Sequence, residues 1–177
     1  MHLRPSAAQS NSPMESVSES ELAHALRRYL AGHREHMLAV LEALVRAESP
    51  TDVPEAQAEA QGMLARLLRT LGFRVRSLPA AEEERGHLYA RPKDRPRGRP
   101  VQLLVGHSDS VWARGTLDEM PFEVDDNEVR GPGVFDMKAG LTQMLFALAA
   151  LRAASVEPAV VPVVFINSDE EQGSPTS

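Results

Sequence analysis

The chain has 177 residues, of which 42% are hydrophobic, and it carries a formal net charge of −6. This length is typical of one domain with a sizeable core, and the acidic balance argues against a nucleic-acid partner, which normally requires a basic surface. Because the sequence contains no cysteine, disulfides, thiolate metal ligands and a cysteine nucleophile are excluded. Any metal must be held by His, Asp or Glu.

The first segment, residues 1–17, is polar and rich in Ser and Pro, a composition that predicts a disordered tail. It lacks the apolar core of a secretory signal peptide. We also find no apolar run that approaches the roughly 20 residues needed to cross a bilayer. The sequence therefore predicts a cytoplasmic protein without a membrane partner, with residues 18–177 forming one folded unit.

Two helices are predicted before the first strand. Ser18 and Glu21 fit a Ser-x-x-Glu capping box. Apolar residues then recur at helical spacing through residues 22–45, which predicts one long helix, interrupted near Gly32. A second helix is predicted over residues 53–71.

Strand patterns follow the helices. The alternation of residues 73–78 predicts a half-exposed strand, and the continuous apolar run 101–105 predicts a buried one. Residues 160–166 form the most strand-like run, although Pro162 inside it favours an edge strand or a strand start. Further elements are short strands at 87–90, 121–124 and 128–130 and an apolar helix at 137–154. This order of elements predicts an α/β layered domain.

The first chemical motif contains His107 and Asp109, just past the strand at 101–105. Ligands bind at this end of the strands in open α/β sheets. Residues two apart on an extended backbone point the same way. Asp109 could therefore hydrogen-bond one imidazole nitrogen of His107 while the other nitrogen binds metal. The alternative is a histidine satisfied by a nearby carboxylate at the start of a loop.

The second motif places Asp136 between a Gly-Pro-Gly turn at 131–133 and the start of the helix at 137–154. A single Asp in this position is by default a helix N-cap. The sharper hypothesis is a carboxylate that bridges two metal ions, because such a ligand needs a constrained loop and the two glycines would supply one.

The third motif is the pair Glu170 and Glu171, which follows the strand at 160–166. Adjacent acids in a surface loop usually have no specific role. Neighbouring side chains that leave a strand diverge, however, so one carboxylate could bind metal while the other takes the proton of the attacking water.

Taken together, the three motifs resemble the M20 family of zinc peptidases and amidohydrolases. The matching segments are 106–111, 131–140 and 168–174, with a further match at 44–51. The Gly-Pro-Gly turn and the dipeptide Gly115-Thr116 look most like the glutamate carboxypeptidase branch. Acetylornithine deacetylases, succinyl-diaminopimelate desuccinylases and aminoacylases belong to the same family.

The resemblance implies a role for each motif residue. His107 and Glu171 would each bind one of two zinc ions, Asp136 would bridge them, Glu170 would be the general base, and Asp109 would orient His107. Cobalt or manganese would also suit these ligands. The implied fold is an α/β catalytic domain with a central mixed sheet flanked by helices.

The implied reaction is hydrolysis of an amide bond in a small peptide or an N-acyl amino acid. One reading is a carboxypeptidase that releases a C-terminal amino acid such as glutamate. The other is an N-acyl amino acid deacylase such as acetylornithine deacetylase. Full-length family members are expected to form homodimers through a lid domain inserted in the catalytic domain.

The resemblance covers only the N-terminal portion of the family pattern, before the lid domain and two further zinc ligands. Each zinc would keep two protein ligands, whereas catalytic zinc usually has three. We therefore expect weak metal affinity and little activity from this chain alone. The alternatives are an inactive remnant that acts as an interaction module, and a single-metal hydrolase completed by another polypeptide.

Overall fold

The computed structural model describes residues 18–79, 86–95 and 97–177, so the predicted tail 1–17 lies outside the described residues. The helices and strands within this part follow the predicted order. The helices are α1 Glu19–Gly32, α2 Arg34–Arg46, α3 Gln57–Thr70 and α4 Ala139–Ala153. The strands are β1 Phe73–Pro79, β2 Gly86–Pro92, β3 Val101–His107, β4 Glu123–Val124, β5 Val129–Arg130 and β6 Val161–Asn167.

The long helix predicted from the periodicity is divided into α1 and α2 at His33, next to Gly32, whose backbone entropy weakens a helix. Nδ1 of His33 lies 2.7 Å from the carbonyl oxygen of Tyr29 and donates to this group in the last turn of α1. The capping box is formed, because the Ser18 hydroxyl accepts from the Glu21 N–H while the Glu21 carboxylate accepts from the Ser18 N–H.

The main sheet has the strand order β1-β2-β6-β3, in which β1, β2 and β6 pair antiparallel and β3 pairs with β6 in parallel. Alternate side chains of this sheet face the helices and form one core. The buried members from the sheet are Phe73, Leu88, Ala90, Val164 and Ile166, and those from α3 and α4 include Leu64, Leu68, Leu141 and Leu145. The predicted mixed sheet flanked by helices is confirmed.

The apolar run of β3 does not make it a buried strand, which corrects the prediction for residues 101–105. Within the described residues β3 pairs with β6 alone. Leu104 packs against the core, whereas Val101, Leu103 and Val105 are 43%, 56% and 61% exposed. Because side chains alternate along a strand, these three share the face that points away from the core.

Pro162 lies at the second position of β6, an interior strand, so its place is a strand start and not a sheet edge. The N–H of Val161 donates to the Pro100 carbonyl beside β3. By alternation, the nitrogen of Pro162 faces the β2 side, where pairing begins only at Val164. The proline therefore removes no hydrogen bond from the ladder.

One apolar stretch also corrects the expectation about membrane spans. Residues Val134–Ala153 are long and apolar enough to cross a membrane by length and composition, but a large part of this stretch is buried inside the protein. Its first residues, Val134–Lys138, form an irregular turn, and α4 contributes Leu141 and Leu145 to the core. A helix buried within a protein core has the same composition.

Close packing of β3 on α4 leads to a stability prediction at Gly106. A Cβ added there would lie 2.8 Å from Leu141 Cδ2 and 3.1 Å from Met137 Cε. We expect Gly106→Ala to lower the free energy of unfolding by about 1–3 kcal/mol because the core is overpacked, as measured by urea unfolding. Gly62→Ala is the matched control, since its Cβ would meet only Arg66 Nη1 at 3.4 Å.

The control should stabilise the chain by about 0.5–1 kcal/mol, because Gly62 lies inside helix α3. Equal stability of the Gly106→Ala variant and the unmodified chain would contradict the close approach of β3 to α4.

Candidate metal centre

The parallel pairing of β3 with β6 brings two of the motifs to the same edge of the sheet. His107 and Asn167, the last residues of the two strands, are register partners. The N–H of Ser108 donates to the Asn167 carbonyl at 2.9 Å. The residues that follow each strand therefore leave the sheet side by side, at the carboxyl ends where ligands bind in open α/β sheets.

The second motif reaches this edge through the irregular turn Val134–Lys138. Gly133 has a φ of +68°, a left-handed conformation that glycine adopts without strain, and its carbonyl accepts from the Lys138 N–H. Asp136 itself is extended, with φ −126° and ψ 103°, and its peptide bond to Met137 is cis. Since α4 begins only at Ala139, Asp136 is not its N-cap, and that alternative is wrong.

The structure brings the three residues expected to bind metal into one cluster. One ligand atom from each of His107, Asp136 and Glu171 lies within 4.8 Å of the others. His107 Nε2 is 2.9 Å from Asp136 Oδ1 and 3.9 Å from Glu170 Oε2. His107 is buried, while Asp136 and Glu170 are exposed, so the cluster has a protein side and a solvent side.

Asp109 is buried on the protein side and links two members of the cluster. Its Oδ1 lies 3.4 Å from His107 Nδ1, and its backbone carbonyl is closer to that nitrogen, at 3.1 Å. Its Oδ2 accepts the backbone N–H of Glu171 at 3.1 Å. Asp109 therefore contacts the imidazole ring through its backbone carbonyl and its carboxylate, and it also holds the backbone of the third motif through the Glu171 N–H.

The cluster perturbs the protonation of its members. Burial lowers the pKa of His107, but hydrogen bonds and charges from Asp109 and Asp136 outweigh burial and raise the pKa to about 9. Burial raises the pKa of Asp109, whereas its hydrogen bonds to His107, the Glu171 N–H and Thr51 bring the pKa below its ordinary value.

Burial and the charges of Asp136, Asp109 and Glu170 raise the pKa of Glu171, although His107 opposes the shift. Carboxylates that repel one another in this way favour a positive charge between them.

Two buried groups near the third motif were not singled out from the sequence. Asp169 is fully buried, and its carbonyl accepts the N–H groups of Gln172 and Ser174. His87 on β2 is 2% exposed and contacts Ser168 and Thr176. The sequence signal for Asp169 was its place directly before the paired glutamates, but no local pattern relates His87 to this loop.

A third buried group is Lys138, two residues after Asp136 in the sequence. Its Nζ donates to the Ala47 carbonyl at 3.1 Å. Burial lowers the pKa of Lys138 to about 8, and the nearby Glu48 carboxylate opposes part of this shift. Glu48 also accepts the N–H of Gly115. The segment after α2 therefore supports both the turn that carries Asp136 and the loop that follows β3.

The segment that contains these three motifs is similar to known proteins. Residues 103–177 match the family model described as Peptidase family M20/M25/M40. Carboxypeptidase G2 of Pseudomonas sp. (strain RS-16) is 34% identical over 139 residues, which cover 78% of this chain and 33% of that protein. The succinyl-diaminopimelate desuccinylase of Caulobacter sp. (strain K31) is 32% identical over 121 residues, which cover 64% of this chain and 28% of that protein. The chain spans about a third of the length of these curated relatives.

Solved structures share the fold. Human carnosine dipeptidase 1 matches with a TM-score of 0.75 and 21% identity, over 86% of this chain and 36% of that chain. The Saccharomyces cerevisiae di-peptidase Dug1p matches with a TM-score of 0.74 and 17% identity, over 90% of this chain and 37% of that chain. The segment matched by the family model contains His107, Asp136 and both glutamates. Residues 103–177 of this chain therefore belong to peptidase family M20/M25/M40.

Proposed function

We propose that this chain provides the metal-binding part of a zinc-dependent hydrolase that cleaves the amide bond of a peptide or an N-acyl amino acid and releases a C-terminal amino acid such as glutamate. The observation that carries the proposal is the convergence of His107, Asp136 and Glu171 within 4.8 Å. The similarity to carboxypeptidase G2 supports the carboxypeptidase reading.

The donor set fits zinc, because imidazole nitrogen and carboxylate oxygen are its usual ligands outside thiolate sites. His107, Asp136 and Glu171 would hold one ion with an open position for water. In the two-ion arrangement that the family resemblance implies, Asp136 would be shared and each ion would keep two of these ligands. Zinc would supply a Lewis acid and lower the pKa of a water molecule. Cobalt or manganese would suit the same donors.

The residues around the cluster have distinct tasks in this proposal. His107 donates from Nδ1 to the Asp109 carbonyl, which leaves Nε2 free to bind metal once its proton is lost. Glu170 is exposed, and its Oε2 lies 3.9 Å from His107 Nε2. It can therefore take a proton from the attacking water and pass it to the leaving amine.

A second candidate function is N-acyl amino acid deacylation, which the matches to succinyl-diaminopimelate desuccinylases favour. The two candidates share the metal centre and the base and differ in the group that is bound beyond the scissile amide. Homodimerisation of the whole protein belongs to the same proposal and rests on the family resemblance alone. A cytoplasmic location is proposed from the sequence composition.

Zinc titration by calorimetry tests the proposed centre. We expect the chain to bind zinc weakly, and we expect His107→Gln and Asp136→Asn to abolish binding because each removes a ligand of the cluster. The matched control is Glu170→Gln, which should keep the zinc affinity because Glu170 is assigned as base and not as ligand. The stoichiometry distinguishes one ion from two.

Absence of zinc binding to the unmodified chain would favour the inactive remnant over the hydrolase. In preparations that hydrolyse an N-acyl-glutamate or an N-succinyl amino acid, Glu170→Gln should lower the rate by about 10²–10⁴-fold, the usual contribution of a general base.

A further inference from the structure

His87 lies at the second position of β2 and is 2% exposed. Its ring lies beside that of Phe165 on β6, with the centroids 5.5 Å apart. Both ring nitrogens contact the loop that follows β6. Nδ1 is 3.3 Å from the backbone nitrogen of Ser168, and Nε2 is 3.3 Å from Oγ1 of Thr176. One buried side chain from a neighbouring strand therefore contacts both ends of loop 168–176.

The direction of these hydrogen bonds follows from the backbone partner. The Ser168 N–H can only donate, so Nδ1 of His87 must be the unprotonated acceptor. The ring proton then lies on Nε2, which donates to the Thr176 hydroxyl. That hydroxyl donates in turn to Oδ2 of Asp169, which also accepts the Thr176 N–H at 2.9 Å.

Asp169 also forms hydrogen bonds within the same loop and to the end of β6. Its carbonyl accepts the N–H groups of Gln172 and Ser174, and its own N–H donates to Oδ1 of Asn167. Glu170 and Glu171 lie within this loop. Electrostatic repulsion between these carboxylates and Asp136 favours movement of the loop away from the cluster. Hydrogen bonds between the loop and β2 oppose this movement.

We propose that His87 is a positioning residue of the metal centre, which holds Glu170 and Glu171 against the cluster by tying Ser168 and Thr176 to strand β2. It acts through the Ser168 backbone and the Thr176 hydroxyl, and it contacts neither glutamate side chain in this role. The expected effect of His87 on metal binding rests on the proposed function. The hydrogen bonds of His87 to Ser168 and Thr176 can be tested without metal.

The test compares His87→Phe with His87→Asn in the 177-residue chain. Phenylalanine keeps a ring beside Phe165 and loses both nitrogens. Asparagine offers an amide oxygen where Nδ1 was and can accept the Ser168 N–H, but it cannot reach Thr176. The first readout is zinc affinity by calorimetry, and the second is hydrogen exchange of the Gly173 and Ser174 amides, which donate to the Glu170 and Asp169 carbonyls.

We expect His87→Phe to weaken zinc binding by about tenfold or more and to accelerate exchange at both amides. His87→Asn should recover part of the affinity. Leu68→Ala, a buried change in helix α3, is the control for lost stability. It should lower the thermal midpoint while leaving the zinc affinity and the loop amides unchanged.

Unchanged zinc affinity and unchanged loop exchange in a folded His87→Phe or His87→Asn variant would overturn the inference, even if its thermal midpoint fell. If the unmodified chain binds no zinc, the proposed function fails. In that case the exchange rates of Gly173 and Ser174 alone decide whether His87 holds the loop.

Discussion

Replacing Asp109 with alanine is expected to lower the zinc affinity of the chain by about 10- to 100-fold, the usual effect of losing a residue that orients a metal ligand. Asp109 is 1% exposed and contacts both His107 Nδ1 and the Glu171 N–H. Its loss would release the imidazole ring and the loop backbone together. Calorimetry with zinc measures the change.

The same replacement should destabilise the metal-free chain by about 3 kcal/mol, because it leaves the buried, protonated His107 with one carboxylate partner fewer. Urea unfolding measures this second effect. Asp126→Ala is the matched control, since Asp126 is exposed in the hairpin between β4 and β5, and it should alter neither quantity. Zinc binding by Asp109→Ala at the unmodified affinity would show that Asp109 does not orient the centre.

Stability of the metal-free chain should fall as the pH rises from 6.5 towards 9. The folded His107 has a pKa of about 9, above the ordinary histidine value of 6.5. His107 contributes its full stabilisation below pH 6.5, where both the folded and the unfolded state bind the proton. This stabilisation is lost as the pH rises through 9. The shift corresponds to about 3 kcal/mol. Urea unfolding at a series of pH values measures it.

Lys138 has the opposite influence at higher pH, because its pKa is lowered to about 8 from 10.5 and stability rises as it loses its proton in the folded state. The interval from pH 6.5 to about 7.5 therefore reports mainly His107, because Lys138 is still largely protonated in both states there. The His107→Gln variant should show no such loss there, and an equal slope in both proteins would contradict the assignment. Zinc requires the neutral imidazole, so zinc affinity should rise over the same interval.

Much of the fold could be predicted from local patterns. Apolar periodicity located the helices, and the glycine at position 32 marked the break between α1 and α2. The exposure of Val101, Leu103 and Val105 on β3 could not be predicted, because a continuous apolar run does not reveal which strands flank it. The interior place of β6, despite Pro162, depended on where pairing with β2 begins, which is a property of the assembled sheet.

For the site, residue type and local position selected His107, Asp136 and the Glu170–Glu171 pair as candidates, and the family resemblance assigned Glu171 to metal. The structure brings His107, Asp136 and Glu171 together. Their roles remain proposals until metal binding is measured. His87 could not be found in this way, because it lies 81 residues from Ser168 in the sequence. Contacts of this kind arise from strand order, which the local sequence does not encode.

The parallel pairing of β3 with β6 has a kinetic consequence. Parallel strands joined by a long crossover form slowly, because the entropy of closing the intervening chain must be overcome before the pairing stabilises the structure. His107 follows one of these strands and Glu171 follows the other, so a refolding chain can acquire its helices early and still lack the ability to capture a cation. Metal capture should therefore report the last stage of folding.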